Sequence, residues 1–135
     1  MPLGLGRKVT DIATFQNLLR FGSVNVLRPS LGLNSLTKIK RIAAIAEGYY
    51  VAVAPYHAGG PIGTLAAVHL AASLTNSFIQ EVPMPAADRD AAMRAELTSG
   101  NREVADKGFS ALINRPGLGF EVNDKALDQY SEERI

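Results

Sequence analysis

The chain has 135 residues, which is long enough to bury one sizeable hydrophobic core, and one domain is therefore expected. Hydrophobic residues make up 47% of the chain and charged residues 20%, which is the composition of a globular domain. The 14 basic and 13 acidic residues give a net charge of +1 without a basic run, so neither nucleic acid nor a membrane surface is an expected partner.

The chain contains no cysteine, which excludes disulfide bonds and thiolate metal sites. Its start, Met1–Lys8, lacks the basic-then-apolar order of a signal peptide. The longest apolar run, Leu65–Leu74, is interrupted by His69 and is too short to span a bilayer. These features predict a cytoplasmic protein without a membrane segment.

Short apolar segments alternate with amphipathic ones along the first part of the chain. The apolar segments predict four strands, near residues 2–5, 24–27, 50–54 and 78–82. The segments between them predict three helices, near residues 11–20, 36–47 and 63–74. This alternation indicates right-handed βαβ units and a parallel sheet.

The composition of the sequence changes after Pro83 and Pro85. A charged, Ala-rich helix is predicted from Asp88 to about Val104, followed by an extended segment at 109–121. A short helix is predicted at Asp124–Tyr130, and the last five residues are expected to fray.

The most informative segment is Tyr50–Thr64, in which a buried strand ends in Ala54-Pro55-Tyr56-His57 and a glycine-rich loop leads into a helix. It resembles the seventh barrel strand of the mandelate racemase/muconate-lactonizing branch of the enolase superfamily, and most of all its acid-sugar dehydratases, which typically read Ala-Pro-His-Asn-x-x-Gly-Pro-Ile. Four further segments resemble the fifth, sixth and eighth strands and the tail that returns to the family's capping domain: Met1–Lys8, Val24–Leu31, Ser77–Glu81 and Pro116–Val122.

The resemblance implies the C-terminal half of such an enzyme, truncated because a complete barrel needs roughly 250 residues. The expected fold is α/β: a half TIM-type barrel of about four parallel βα units at 1–82, then a helical and extended C-terminal tail at 83–135. Family members are magnesium-dependent lyases and racemases. Three carboxylates hold the metal, and a Lys or His base removes the proton α to the substrate carboxylate.

Three positions depart from the family pattern. Arg7 follows Gly6 where the family has a metal-binding Glu, and a guanidinium cannot ligate a cation. Ser30 replaces the Asp that partners the catalytic His, and Tyr56 stands at the position of that His. We therefore expect no metal site and no cofactor in this chain, and no independent catalysis by it.

Five residues that end or follow predicted strands form the candidate site, because parallel strands place their C-terminal ends on one face. His57 and Tyr56 are candidates for catalysis, and Arg7, Ser30 and Glu81 for substrate binding. His57 is alternatively a solvent-facing or backbone-bonded loop residue, and Tyr56 a packing residue. Glu81 can bond to loop amides, and Arg7 can bind an anion or pair with Glu81.

Other interpretations stay open. The loop Gly59–Thr64 is a rival anion site because it precedes a helix N-terminus. The chain could be an inactive dehydratase homologue, a small-molecule or protein-binding module, or a lyase or isomerase that needs a second chain or works without metal. The open edges of a half barrel predict a homodimer or a complementary barrel half as partner. A small carboxylate or sugar acid is the expected ligand.

Overall fold

The computed structural model describes residues 1–100, 103 and 105–132. The described part of the chain contains three short strands: β1 Gly4–Leu5, β2 Val26–Leu27 and β3 Ala52–Val53. It also contains five helices: α1 Ile12–Arg20, α2 Leu36–Glu47, α3 Pro61–Ala72, α4 Asp88–Leu97 and α5 Asp124–Glu132. The charged helix α4 ends at Leu97, earlier than the predicted end near Val104, because Ser99 and Gly100 take positive φ values that a helix cannot continue through. Residues 101, 102 and 104 and the last three residues lie outside the described residues.

The three strands form a parallel sheet in the order β1-β2-β3. Val26 is in register with Gly4 on one side and with Ala52 on the other. A further parallel bridge joins Ser30 to Tyr56 beyond the strand ends. The predicted α/β fold with parallel βα units is confirmed, because each strand is followed by a helix that returns the chain to the same end of the sheet.

The fourth predicted strand, at 78–82, is shorter and earlier than the sequence indicates. Ser77 forms a parallel bridge to Val53, and the Phe78 N–H donates to the Val53 carbonyl at 2.9 Å. The described structure assigns no strand beyond this point. The physical reason is the missing neighbour: the segment lies at an edge, and Pro83 and Pro85 bring no N–H for pairing.

The three helices between strands lie where the sequence predicts them, within two residues. Asp11 caps α1 by accepting the Thr14 N–H at 2.7 Å, and Ser35 caps α2 by accepting the Lys38 N–H at 3.3 Å. Helix α3 begins at Pro61, two residues earlier than predicted, because proline suits the first helical turn.

The hydrophobic core lies between the sheet and the helices α1 and α2. Leu27 and Val53, one from each of two adjacent strands, are completely buried in it. The helices contribute five buried side chains: Phe15, Leu19, Ile42, Ala43 and Ala46. Side chains alternate along a strand, so the residues on either side of Leu27 and Val53 point to the opposite face of the sheet. This second face is called the open face below.

Within the described residues, no helix is both long enough and apolar enough to cross a membrane.

Candidate functional site

The C-terminal ends of the strands bring Ser30 and Tyr56 side by side. The Tyr56 N–H donates to the Pro29 carbonyl at 2.9 Å, and the Leu31 N–H donates to the Tyr56 carbonyl at 2.8 Å. These bonds continue the parallel pairing of β2 with β3 and fix the Tyr56 backbone next to the end of β2. The Tyr56 ring is therefore held on a rigid part of the sheet.

Two guanidinium groups lie over the Tyr56 ring. The Arg7 guanidinium carbon is 4.1 Å from the ring centroid, and that of Arg28 is 5.7 Å from it. Both distances are within the range of cation–π attraction, in which the negative face of the ring stabilises a cation. The ring therefore gathers two positive charges at the carboxyl end of the sheet.

Glu81 joins this group through an ion pair with the Arg28 guanidinium. The sequence left open a pairing of Glu81 with Arg7; the structure pairs Glu81 with Arg28 instead. Within the described residues, no carboxylate forms an ion pair with Arg7. Four predicted or newly found residues thus come together, and we call them the arginine cluster: Arg7, Arg28, Tyr56 and Glu81.

Arg28 is the member of the arginine cluster that sequence reasoning missed. The strand pattern could have indicated Arg28. Leu27 is an apolar core residue, and the next residue of a strand points to the opposite face. A charged side chain at that position lies on the open face, beside Val26 and Ala54, which line the same cavity.

His57 lies apart from the arginine cluster. Its imidazole is buried, and its Nε2 is 3.2 Å from both the Gly59 nitrogen and the Gly60 carbonyl oxygen. Without a proton, Nε2 accepts the Gly59 N–H; with a proton, it donates to the Gly60 carbonyl. A Cβ atom at Gly63 would lie only 2.2 Å from the imidazole, so this glycine leaves room for the ring.

The strand period explains the separation of Tyr56 from His57, because consecutive side chains leave the end of β3 in opposite directions. No hydrogen bond, ion pair or ring contact among the described residues joins His57 to the arginine cluster. The catalytic role of His57 stays a prediction, and its observed contacts are those of the backbone-bonded alternative.

A second group of charges, which the sequence did not indicate, fastens helix α4 to the His57 loop. Arg94 forms ion pairs with Asp90 at 3.0 Å and with Glu103 at 3.1 Å. Its Nη2 also donates to the Gly59 carbonyl at 3.2 Å. The Arg94 and Glu103 side chains are only 12% and 9% exposed, so this contact is partly shielded from water.

The charges around Arg94 reinforce one another. Burial lowers the pKa of Arg94, but its bonds to Glu103 and Asp90 outweigh burial, and the pKa is raised overall. The pKa of Asp90 is lowered, chiefly because the Ala86 N–H donates to its carboxylate, and Arg94 adds to the effect. Both groups therefore stay ionised at neutral pH.

The residues of the site do not fit a magnesium ion. Among the described residues, no group of three His, Asp or Glu side chains is placed to hold a metal. Arg7 and Arg28 would repel a cation at the arginine cluster, and its one carboxylate, Glu81, is already paired. The chemistry available here is the binding of an anion.

A cavity of about 430 Å³ opens beside Arg28 on the open face. Its walls are mostly apolar and include Val26, Ala54, Phe78 and Ile79. Phe78 and Ile79 are 68% and 62% exposed, although the tail residues Ala105, Gly108 and Phe109 lie beside them around a second cavity. The arginine cluster therefore stands at the rim of an apolar depression.

Comparison with known proteins identifies the family. Residues 1–126 match the sequence model of the enolase C-terminal domain-like family. A D-galactonate dehydratase from Pectobacterium atrosepticum is 28% identical over 134 residues, which cover 98% of this chain and 35% of that protein. The chain therefore spans about a third of the length of this curated relative.

Solved structures agree with this match. A mandelate racemase/muconate lactonizing enzyme-like protein from a Roseovarius species has a TM-score of 0.76 and 32% identity, covering 96% of this chain and 31% of that one. A member of the enolase superfamily from Salmonella Typhimurium has a TM-score of 0.83 and 24% identity, covering 96% of this chain and 32% of its own, and supports the fold. The chain belongs to the enolase C-terminal domain-like family and is similar to acid-sugar dehydratases.

Proposed function

We propose that this chain binds a small carboxylate at the arginine cluster and does not by itself catalyse the metal-dependent chemistry of its relatives. The observation that carries the proposal is the pair of guanidinium groups over the Tyr56 ring at the carboxyl ends of the strands. Two positive charges there face a single carboxylate, that of Glu81. One further anion neutralises the cluster.

The roles of the individual residues follow from their chemistry. Arg7 and Arg28 present planar forks of N–H donors, which match the two oxygens of a carboxylate. Tyr56 holds both guanidinium groups in place by cation–π attraction. Ser30, buried next to Tyr56, is a candidate to donate a hydroxyl hydrogen bond to the ligand. None of these groups replaces the metal as a stabiliser of an enediolate, which supports the absence of independent catalysis.

Calorimetric titration tests this function with three probes: Mg²⁺, acetate and D-gluconate. We expect no micromolar binding of Mg²⁺, and we expect binding of at least one carboxylate. Arg7→Ala and Arg28→Ala should each weaken that binding about tenfold, because each removes a charge-assisted hydrogen bond. Arg41→Ala is the matched control, since Arg41 is exposed on α2 and its removal changes the net charge equally.

Two results would contradict the proposed preference for a carboxylate over a cation. One is micromolar binding of Mg²⁺ at neutral pH. The other is carboxylate binding that Arg7→Ala and Arg28→Ala leave unchanged. Dehydration of a sugar acid by the isolated chain would also overturn the proposed lack of catalysis.

A second candidate function needs another chain. The sheet ends at unpaired edges, and Leu3, Phe78 and Ile79 stay exposed beside it, which supports a homodimer or a complementary barrel half. A sugar-acid lyase or isomerase could then be completed by the partner. Light scattering at low micromolar concentration distinguishes a monomer from a homodimer. A mass near the 14.4 kDa of one chain argues against the homodimer.

A further inference from the structure

The ion pair between Arg28 and Glu81 is open to solvent. The two side chains are 37% and 45% exposed. Exposed pairs of this kind contribute little to stability, because water and salt screen the attraction and two long side chains lose freedom. An external carboxylate can therefore take the place of the Glu81 carboxylate on Arg28 at small cost.

The backbone that carries Glu81 is not paired with a neighbouring strand. The last hydrogen bond from this segment to the sheet backbone is the one from Phe78 to Val53. Beyond it, the Gln80 side chain donates to the Pro55 carbonyl at 3.4 Å and to the Glu81 carbonyl at 2.8 Å, and neither bond involves the Glu81 side chain. Glu81 thus sits past the end of the paired strand, where a change of side-chain position disturbs no sheet hydrogen bond.

The cavity next to Arg28 favours a ligand whose part beyond the carboxylate is apolar. Its walls beside the guanidinium are the apolar side chains Val26, Ala54, Phe78 and Ile79. A hydrocarbon chain gains free energy by leaving water for such a surface. A chain of hydroxyl groups loses hydrogen bonds to water there, and besides the Arg28–Glu81 pair the described walls offer one polar side chain, Gln80.

We propose that the ligand is a monocarboxylate with a hydrocarbon body, and that Glu81 is an exchangeable internal counter-ion that this carboxylate displaces from Arg28. In the bound state the ligand carboxylate contacts Arg28 and Arg7, and the hydrocarbon body lies in the apolar cavity. This inference rests on the proposed carboxylate binding and adds the class of ligand and the competition by Glu81.

The test compares hexanoate with D-gluconate, two monocarboxylates of six carbons that differ in their hydroxyl groups, and with inorganic phosphate. Each is titrated into the full chain by NMR. Hexanoate is expected to bind about tenfold more tightly than gluconate, since burial of two methylene groups is enough for this difference. Phosphate is expected to bind more weakly than hexanoate.

Replacing Glu81 with Gln tests the competition. Glu81→Gln should tighten hexanoate binding about two- to fivefold, because the competing carboxylate is gone. Glu121→Gln is the matched control: it removes one exposed carboxylate elsewhere and changes the net charge equally. It should leave hexanoate binding unchanged. An unaltered far-UV spectrum of both variants shows that the fold is kept.

The outcomes separate this inference from the proposed function. Equal binding of hexanoate and gluconate, or of hexanoate and phosphate, overturns the apolar ligand class while carboxylate binding stands. Equal effects of Glu81→Gln and Glu121→Gln overturn the role of Glu81. If the wild-type chain binds neither hexanoate nor gluconate, the proposed function is overturned as well.

Discussion

Replacing Arg94 with Ala is expected to destabilise the chain by about 1–3 kcal/mol, which is the usual cost of leaving partly buried polar groups without a hydrogen-bond partner. Arg94 is 12% exposed and holds Asp90, Glu103 and the Gly59 carbonyl at once. Its removal leaves the Glu103 carboxylate, 9% exposed, without its cation in a partly buried position. Urea denaturation followed by far-UV circular dichroism measures the loss.

Two comparisons sharpen the Arg94 experiment. Arg94→Lys keeps the charge but cannot reach three partners with one planar group, so an intermediate loss is expected. Arg41→Ala, on an exposed face of α2, should change stability by no more than about 0.5 kcal/mol. If Arg94→Ala costs no more than Arg41→Ala, the tail is not fastened to the His57 loop in the way described.

Replacing Phe15 with Ala is expected to cost about 3–5 kcal/mol, because the ring is 1% exposed at the centre of the core and its loss leaves a cavity. The ring also supports the site. A Cβ atom at Gly6 would lie 2.6 Å from the Phe15 ring, so the ring packs directly beneath the residue that precedes Arg7. We therefore expect Phe15→Ala to weaken carboxylate binding as well.

Phe21→Ala is the matched control for Phe15→Ala, because Phe21 has the same side chain at the end of the same helix but is 81% exposed. It should leave stability within about 0.5 kcal/mol of the wild type. Thermal unfolding by calorimetry compares the two variants. Similar losses for both would contradict the placement of Phe15 in the core.

Most of the fold could be predicted from sequence, because local signals and burial agree. Asp11 and Ser35 cap the helices that their position before an apolar stripe predicts. The near-continuous apolar stretch at 50–54 gave the parallel strand β3. The fourth strand was overestimated, since hydrophobicity at 78–82 does not supply a neighbouring strand with which to pair.

The site was harder to predict, because its contacts join distant segments. The predicted strand ends identified Arg7, Tyr56 and Glu81 as site residues. The partner of Glu81 is Arg28, and this pairing depends on which side chains reach across the open face. The contact of Arg94 with Gly59 spans 35 positions and has no sequence pattern. Strand alternation does explain why Tyr56 joins the arginine cluster and His57 does not.

The change at Arg7 alters the electrostatics of the whole strand end. A carboxylate at that position would pull a cation toward Glu81, whereas a guanidinium beside Arg28 produces a net positive cluster. We therefore propose that Arg7 makes this strand end attractive to an anion, whereas the resemblance implies a metal-binding Glu at the same position.

The central claim is that the arginine cluster binds carboxylates, and a residue-resolved NMR titration of the wild-type chain with hexanoate tests it most directly. We predict the largest shifts at the side-chain Nε–H groups of Arg7 and Arg28 and at the Tyr56 amide, with little change at α5. Shifts confined to the Gly59–Thr64 loop would place the anion at the helix N-terminus instead and contradict the account.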